Sequence, residues 1–99
     1  MSAMARPVVV VVDAEDAGRQ ALARELEGRY GAHYRIMSSA SPEEALAGLE
    51  QLRAEGADVP LVLADQWMPA RSGAQFLARV RELYPTARRV LLTRSAMPG

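Results

Sequence analysis

The sequence predicts an α/β protein built on a doubly wound parallel sheet. Two apolar runs, residues 8–12 and 61–64, have the length of buried strands, and each runs directly into an aspartate, Asp13 and Asp65. A continuous apolar run is typical of a parallel strand that is covered on both faces. Stretches with helical periodicity alternate with four strand-like runs. The order β-α-β-α-β-α-β favours right-handed crossovers and helices on both faces of one sheet.

The composition fits one small domain and excludes several classes of function. The chain has 99 residues, half of them hydrophobic, and a formal net charge of zero, so it lacks the strongly basic balance of a nucleic-acid binder. No apolar run is long enough for a membrane span, and the first residues lack the order of a signal peptide. With no cysteine there is no disulfide, thiolate zinc site or redox dithiol. We expect a cytoplasmic protein.

The first half of the chain predicts two strands around one helix. Strand one covers residues 8–12, and the helix after it begins between residues 13 and 16 and is capped by Gly31. One face of this helix carries apolar side chains at helical spacing, namely Leu22, Leu26 and Tyr30. Residues 34–38 form a short strand of mixed polarity, which is typical of a sheet edge.

The second helix has the clearest start in the chain. Ser41 can cap it, Pro42 occupies its first position, and Glu44 completes a capping box. Gly56 ends the helix. Its predicted buried stripe consists of Ala45, Leu46, Leu49 and Leu52.

Two strands and a third helix follow. Strand three covers residues 61–65, Ser72 and Gly73 open the third helix, and strand four covers residues 89–93. Pro85 stops the helix, whose inward-facing residues are Phe76, Leu77, Val80, Leu83 and Tyr84.

The ends of strands one and three predict where the chemistry lies. In an open α/β sheet the functional crevice lies beyond the carboxyl ends of the strands. Asp13 and Asp65 both occupy that place, so neighbouring strands would bring two carboxylates into one crevice.

These residues resemble a response-regulator receiver domain. The resemblance is carried by Asp13 after a valine strand, by the segment D-x-x-M-P-x-x-S-G at residues 65–73, and by Leu91-Leu92-Thr93, and it covers essentially the whole chain. It implies a flavodoxin-like sheet of order 2-1-3-4, with the fifth strand and the last helices missing. Residues 1–99 would then be a single receiver-like domain that is incomplete at its C-terminus. The amino-acid sequence at residues 29–35 and 63–66 also resembles that of receivers fused to a flavin-dependent, thioredoxin-reductase-like module.

The resemblance implies a signalling role and not an enzyme. Asp65 would be the phosphoacceptor for a sensor histidine kinase, and Thr93 would be the switch hydroxyl. Mg²⁺ would be held by Asp13, Asp65 and the backbone carbonyl of Trp67, since magnesium prefers hard oxygen ligands. The further partner would be an output domain or another protein, with no direct nucleic-acid or membrane contact.

The sequence departs from the family pattern at three places. The family has two adjacent acids after strand one, and here Ala14 replaces the second, so Mg²⁺ binding should be weakened unless Glu15 or a water fills the gap. Arg94 replaces the small residue that follows the switch threonine. The chain also lacks the lysine that ends the family's fifth strand. With no fifth strand, strand four becomes an edge through which a homodimer could form.

Other interpretations remain open. The main alternative is a receiver-like interaction module that is not phosphorylated. A haloacid-dehalogenase-type phosphatase would need a second acid where Trp67 stands, and no G-x-x-x-x-G-K-[ST] loop follows strand one. Asp13 could serve only as a helix N-cap, and Thr93 only as a strand residue. The Trp67 side chain is expected to pack over the site.

Overall fold

A computed structural model describes residues 6–68 and 71–93 as four strands and three helices in strict alternation. The four strands are parallel, in the order β2-β1-β3-β4, so the predicted fold class and strand order are confirmed. The described residues contain four strands and no fifth. The elements are β1 (Val8–Val12), α1 (Asp16–Tyr30), β2 (Arg35–Ser39), α2 (Pro42–Ala54), β3 (Leu61–Asp65), α3 (Gly73–Leu83) and β4 (Arg88–Leu92).

The core lies between the sheet and helices α2 and α3. β1 is the central strand, and its five valines are all buried. Because side chains alternate along a strand, Val8, Val10 and Val12 face α2 and α3. They form one buried cluster with side chains from both helices, including Leu46, Leu49, Leu52, Phe76 and Val80.

The opposite face of the sheet is only partly covered. Helix α1 packs against β1 and β2, yet none of its residues is buried. Leu22 and Leu26 are half-buried, and Tyr30 is 48% exposed. A hollow of about 310 Å³ separates α1 from β3 and is lined by Val9, Leu26, Tyr30, Tyr34, Pro60 and Leu61. The predicted apolar face of α1 is therefore present, but no described element covers it from the β3 side.

Two strand boundaries differ by one residue from the predicted ones. The strand predicted at 34–38 is β2 at Arg35–Ser39, because the Tyr34 N–H still donates to Tyr30 O at the end of α1. The strand predicted at 89–93 is β4 at Arg88–Leu92, since the Arg88 N–H already donates to Pro60 O. Thr93 therefore follows the strand and does not belong to it.

The helix starts depend on side-chain caps. Ser41 Oγ accepts from the Glu44 N–H at 3.1 Å, so the predicted Ser41 cap of α2 is present. The Glu44 side chain does not return a bond to the Ser41 N–H, so the predicted capping box at α2 is incomplete. At α3 the capping box is complete, because Ser72 Oγ accepts from the Gln75 N–H and Gln75 Oε1 accepts from the Ser72 N–H. This box fixes the N-terminus of α3 at the carboxyl edge of the sheet.

Candidate functional site

The register of β1 and β3 brings the two predicted carboxylates together. Val12 pairs with Ala64, and one further step along both strands places Asp13 beside Asp65. Each of these aspartates is only 4% exposed, and they are the two buried charged residues of the described chain. The two carboxylates predicted to meet therefore lie on neighbouring strands at the carboxyl edge of the sheet.

The turn after β1 holds Asp13 through its side chain and its backbone. Asp13 Oδ1 accepts from the Glu15 N–H at 2.9 Å, which forms an Asx turn before the helix. The N-cap position of α1 is Glu15, so the alternative that Asp13 caps this helix was wrong. The Asp13 carbonyl accepts from Arg19 Nη1 at 3.1 Å, and Arg19 Nη2 contacts Asp16 Oδ1 at 2.9 Å. The Arg19 side chain is 14% exposed. A nearly buried guanidinium thus fixes this turn.

Sequence reasoning missed Arg19. The available signal was its i,i+3 spacing from Asp16, which pairs the two on the first turn of a helix. That spacing predicts an ion pair. It does not predict the bond to the Asp13 carbonyl, which depends on how α1 enters after β1.

The loop after β3 is held by the backbone of Gln66. Its N–H donates to Leu92 O and its carbonyl accepts from the Gly73 N–H, both at 3.1 Å. Gln66 therefore joins the ends of β3, β4 and α3. Asp65 Oδ1 accepts from the Trp67 N–H at 3.4 Å, a long and weak hydrogen bond.

Gly73 allows α3 to approach the acceptor strand closely. A Cβ at this position would overlap the Asp65 carbonyl oxygen and would lie 2.6 Å from Leu91 Cδ1. Only a residue without a side chain fits between them. The sequence motif includes this glycine, but sequence reasoning used it only to begin a helix.

The Trp67 side chain does not pack over the site, so that prediction was wrong. Its indole is 71% exposed, whereas the next residue, Met68, packs against the core cluster. The chain direction after β3 therefore turns Met68 inward and leaves the indole in solvent. Pro69, which the sequence analysis placed at the end of this loop, lies outside the described residues.

Thr93 follows β4 on the same edge of the sheet. Asp65 pairs with Leu92, so one further step places Thr93 beside Gln66. Thr93 is exposed. Arg94 lies outside the described residues.

The predicted magnesium ligands are the carboxylates of Asp13 and Asp65 and the backbone carbonyl of Trp67, all hard oxygen donors of the kind that Mg²⁺ prefers. The structure places the two buried carboxylates side by side. In residues 6–68 and 71–93 no group of three or more histidine, cysteine, aspartate or glutamate side chains is placed to hold a metal. Glu15 is exposed and does not join the two aspartates in such a group.

Comparison with known proteins agrees with this architecture. Residues 9–98 match the family described as the response regulator receiver domain. Over 85 residues the chain is 36% identical to the hydrogenase transcriptional regulatory protein HoxA of Cupriavidus necator, covering 86% of this chain and 16% of that protein. The chain thus spans about one sixth of the length of this relative.

Two solved structures are similar in both fold and sequence. The signal receiver domain of an HD domain-containing protein from Pseudomonas fluorescens Pf-5 has 30% identity and a TM-score of 0.71, over 89% of this chain and 64% of that one. The receiver domain of the hybrid histidine kinase CckA has 26% identity and a TM-score of 0.73, over 91% of this chain and 87% of that one.

No helix of the described residues is long and apolar enough to cross a membrane.

This chain belongs to the response regulator receiver domain family, a class of two-component signalling domains and not of catalytic enzymes. The coarse prediction from the sequence is therefore confirmed. The finer resemblance to receivers fused to a thioredoxin-reductase-like module is corrected, because the relatives are HoxA-type regulators. The two segments that carried this finer resemblance, residues 29–35 and 63–66, lie around the turn between α1 and β2 and at the end of β3.

Proposed function

We propose that Asp65 accepts a phosphoryl group from a phosphohistidine of a sensor kinase. The observation that carries this proposal is the position of Asp65, which is the last residue of β3, 4% exposed and in register beside Asp13. An Asp65 carboxylate oxygen attacks phosphorus, the phosphorus–nitrogen bond breaks, and the imidazole leaves with the electron pair. The product is an acyl phosphate at the end of β3.

The chain's own contribution is to position the acceptor. The Gly73 contact fixes the Asp65 backbone, and Gln66 ties the loop to β4. A carboxylate held in this way reacts from a fixed place, so little orientational entropy is lost in the transfer step.

Asp13, Asp65 and the Trp67 carbonyl would hold Mg²⁺ at this site. When bound, the cation shields the carboxylates from the incoming phosphoryl oxygens. With Ala14 in place of a second acid, the donor set is smaller by one carboxylate, and we propose that Mg²⁺ binds weakly.

Thr93 would donate its hydroxyl to the phosphoryl group. Its place one residue beyond β4, beside Gln66, supports this role, and its exposed side chain has freedom to turn toward the site. An inward turn of Thr93 would also move the backbone that follows β4, which would signal the phosphorylated state to a partner.

The partner classes follow from the family and its relatives. We propose a sensor histidine kinase as phosphoryl donor and a cytoplasmic output domain or partner protein as receiver of the signal. The two HoxA relatives are transcriptional regulatory proteins of which this chain matches only 16%. The neutral charge balance favours an output that acts through protein contacts made by this domain and not through its direct contact with DNA.

A second function has a specific observation in its favour. The described residues assemble two acids and no third, so the same fold would also suit an interaction module that is not phosphorylated. In that case the domain would bind a partner protein, and Asp65 would not be phosphorylated.

Phosphorylation by acetyl phosphate separates the two functions. We expect wild type with Mg²⁺ to gain one phosphoryl group by intact mass, and hydroxylamine to remove it because acyl phosphates are cleaved by that nucleophile. Asp65→Asn should gain none, whereas Asp58→Asn, which changes an exposed loop carboxylate, should behave as wild type. An adduct that persists in Asp65→Asn would overturn the assignment, and no adduct at any Mg²⁺ concentration would favour the interaction module.

A further inference from the structure

The side chain of Arg19 joins several points of the turn between β1 and α1. Its Nη1 donates to the Asp13 carbonyl at 3.1 Å, and its Nη2 contacts Asp16 Oδ1 at 2.9 Å. The backbone N–H of Arg19 donates to Glu15 O. A side chain near the start of α1 therefore reaches back to the residue that directly follows β1.

This guanidinium is sheltered on a helix that is otherwise open to solvent. None of the residues of α1 is buried, yet the Arg19 side chain is only 14% exposed. The Arg29–Glu25 pair on the same helix shows the ordinary case, with side chains that are 67% and 62% exposed. An ion pair of that exposed kind contributes little to stability. Withdrawing a charge from water is unfavourable unless hydrogen bonds replace the lost hydration, and the Asp13 carbonyl supplies one of them.

The stability of α1 does not account for an arginine at this position. Arg19 is the fourth residue of the helix, where a cation opposes the helix dipole. Helices α2 and α3 begin with serine caps, whereas the described start of α1 has no side-chain cap hydrogen bond. The start of α1 depends instead on its bonds to the end of β1. Those bonds also hold Asp13.

The backbone of Asp13 is bound on both sides. Its N–H donates to Ser39 O at the end of β2, and its carbonyl accepts from Arg19. Within the turn, Asp13 Oδ1 accepts from the Glu15 N–H. Together these bonds fix the residue whose carboxylate the register places beside Asp65.

We propose that Arg19 is a positioning residue of the phosphoryl-transfer site, because it holds Asp13 in place beside Asp65. This inference rests on the proposed function and adds a residue to it. Ala14 supplies no carboxylate, so Mg²⁺ binding depends more strongly on the place of Asp13. Groups that orient a metal ligand without touching the metal commonly change the metal affinity by about 10–100-fold. Arg19 has that relation to Asp13.

The charge of Arg19 alone would have the opposite effect on Mg²⁺. A guanidinium close to the site repels a divalent cation, so removing its charge would tighten Mg²⁺ binding if charge were all that mattered. Removing a positioning bond weakens it. The sign of the change in Mg²⁺ affinity therefore separates the two roles.

Substitution of Arg19 tests the proposal. Arg19→Ala should bind Mg²⁺ about ten-fold more weakly than wild type. The affinity is measured by Trp67 fluorescence and by the Mg²⁺ dependence of acetyl phosphate labelling. At saturating Mg²⁺ the labelling rate should approach that of wild type, because Asp65 itself is unchanged. Arg19→Lys keeps the charge and a donor without the planar fork of arginine, so its Mg²⁺ affinity should lie between the two.

Two control variants isolate the bond to the Asp13 carbonyl. Arg29→Ala removes an exposed cation from the same helix, and Asp16→Asn removes the ion pair while leaving Arg19 beside Asp13. Both should bind Mg²⁺ as wild type does. A purely structural role would lower the urea stability of Arg19→Ala and leave the Mg²⁺ affinity of its folded form unchanged. That result, or tighter Mg²⁺ binding, overturns the proposal.

The same measurements distinguish failure of this inference from failure of the proposed function. Weaker Mg²⁺ binding in Arg19→Ala, with no labelling of wild type, would contradict phosphorylation and retain the positioning of Asp13. Labelling at Asp65 with the same Mg²⁺ dependence in wild type and Arg19→Ala would overturn the role of Arg19 alone. If circular dichroism shows that Arg19→Ala does not fold, Arg19→Lys decides, and Mg²⁺ binding as tight as in wild type then overturns the proposal.

Discussion

At the first position of α3, Gly73 lies directly against the backbone of Asp65. The start of α3 and the end of β3 leave no space for a side chain here. A Cβ on Gly73 would meet both the carbonyl oxygen of Asp65 and the side chain of Leu91 on β4. The position of Asp65 is thus set by packing around a glycine as well as by its own strand. Changes at Gly73 should affect stability and site geometry together.

The first prediction is that Gly73→Ala destabilises the fold by about 1–3 kcal/mol, the usual cost of overpacking a buried site. The added methyl group would overlap Asp65 O, so either α3 or the end of β3 must move. Urea denaturation measures the loss, and acetyl phosphate labelling should slow in the same variant. Gly28→Ala is the matched control, because a Cβ there meets no atom within 4 Å, and it should be neutral or stabilising. Equal effects of the two substitutions would show that the Gly73 contact is not tight.

The second prediction concerns Ala14, which occupies the place of an acid beside Asp13. Ala14→Asp should tighten Mg²⁺ binding by roughly ten-fold or more, or about 1.4 kcal/mol per decade. The variant should be less stable without Mg²⁺, because a third carboxylate adds repulsion at the same edge. Titration of Trp67 fluorescence with Mg²⁺ measures the Mg²⁺ affinity of wild type and of Ala14→Asp. The exposed indole serves as the reporter because it lies two residues after Asp65. Equal Mg²⁺ affinities would mean that the present donors already suffice.

The sequence could predict which carboxylates meet, and it could not predict what holds them. Asp13 and Asp65 follow apolar runs, and the parallel register then brings them together without any further information. The Arg19 bond to the Asp13 carbonyl depends on the entry angle of α1, which no local pattern encodes. The exposure of Trp67 depends on which of two neighbouring apolar residues turns inward, and Met68 does so.

At the scale of elements, a tyrosine joins α3 to the loop after α2. Tyr84 follows α3, and its hydroxyl donates to Ala57 O at 2.9 Å. Burial raises the pKa of the Tyr84 phenol above its ordinary value of 10.0, and the charges of Asp58 and Glu55 add to the rise, while Arg53 opposes it. The folded chain therefore favours the neutral phenol that donates this bond.

The third prediction is a loss of stability at high pH that depends on Tyr84. The folded pKa is raised, so this contribution is complete below pH 10 and is lost as the pH rises through the folded pKa. Tyr84→Phe should cost about 0.5–1.5 kcal/mol at neutral pH, the net value of one hydrogen bond. The difference from wild type should shrink above pH 10 in urea denaturation curves. The sequence contains no lysine, so few other groups titrate in this range.

Tyr30→Phe provides the control for that measurement. Tyr30 is 48% exposed and contacts Tyr34 edge-to-face through its ring, which phenylalanine retains. A pH dependence that survives in Tyr84→Phe would assign the effect to another group.

Element type and order were predictable, whereas element ends and the covering of α1 were not. Continuous apolar runs and the Ser41 cap identified strands and helices correctly. The ends of β2 and β4 moved by one residue because single hydrogen bonds to Tyr30 and Pro60 decide them. The exposure of α1 depends on which elements pack beside it on the sheet. The amino-acid pattern of the helix itself does not contain that information.

At the scale of the whole molecule, the sheet is covered unevenly. Helices α2 and α3 close one face, and α1 covers only the β1 and β2 side of the other. The half-buried Leu61 and Leu63 of β3 lie on that second face, where α1 does not reach them.

The central claim is that Asp65 is the residue that accepts the phosphoryl group. Borohydride reduces an acyl phosphate to the alcohol, so a phosphorylated aspartate becomes homoserine in place and can be found by peptide mass mapping. After treatment of wild type with acetyl phosphate, Mg²⁺ and borohydride, we predict homoserine at position 65 and at no other aspartate. Homoserine at position 13, or intact aspartate at position 65 in a sample that carries phosphate, would contradict this account.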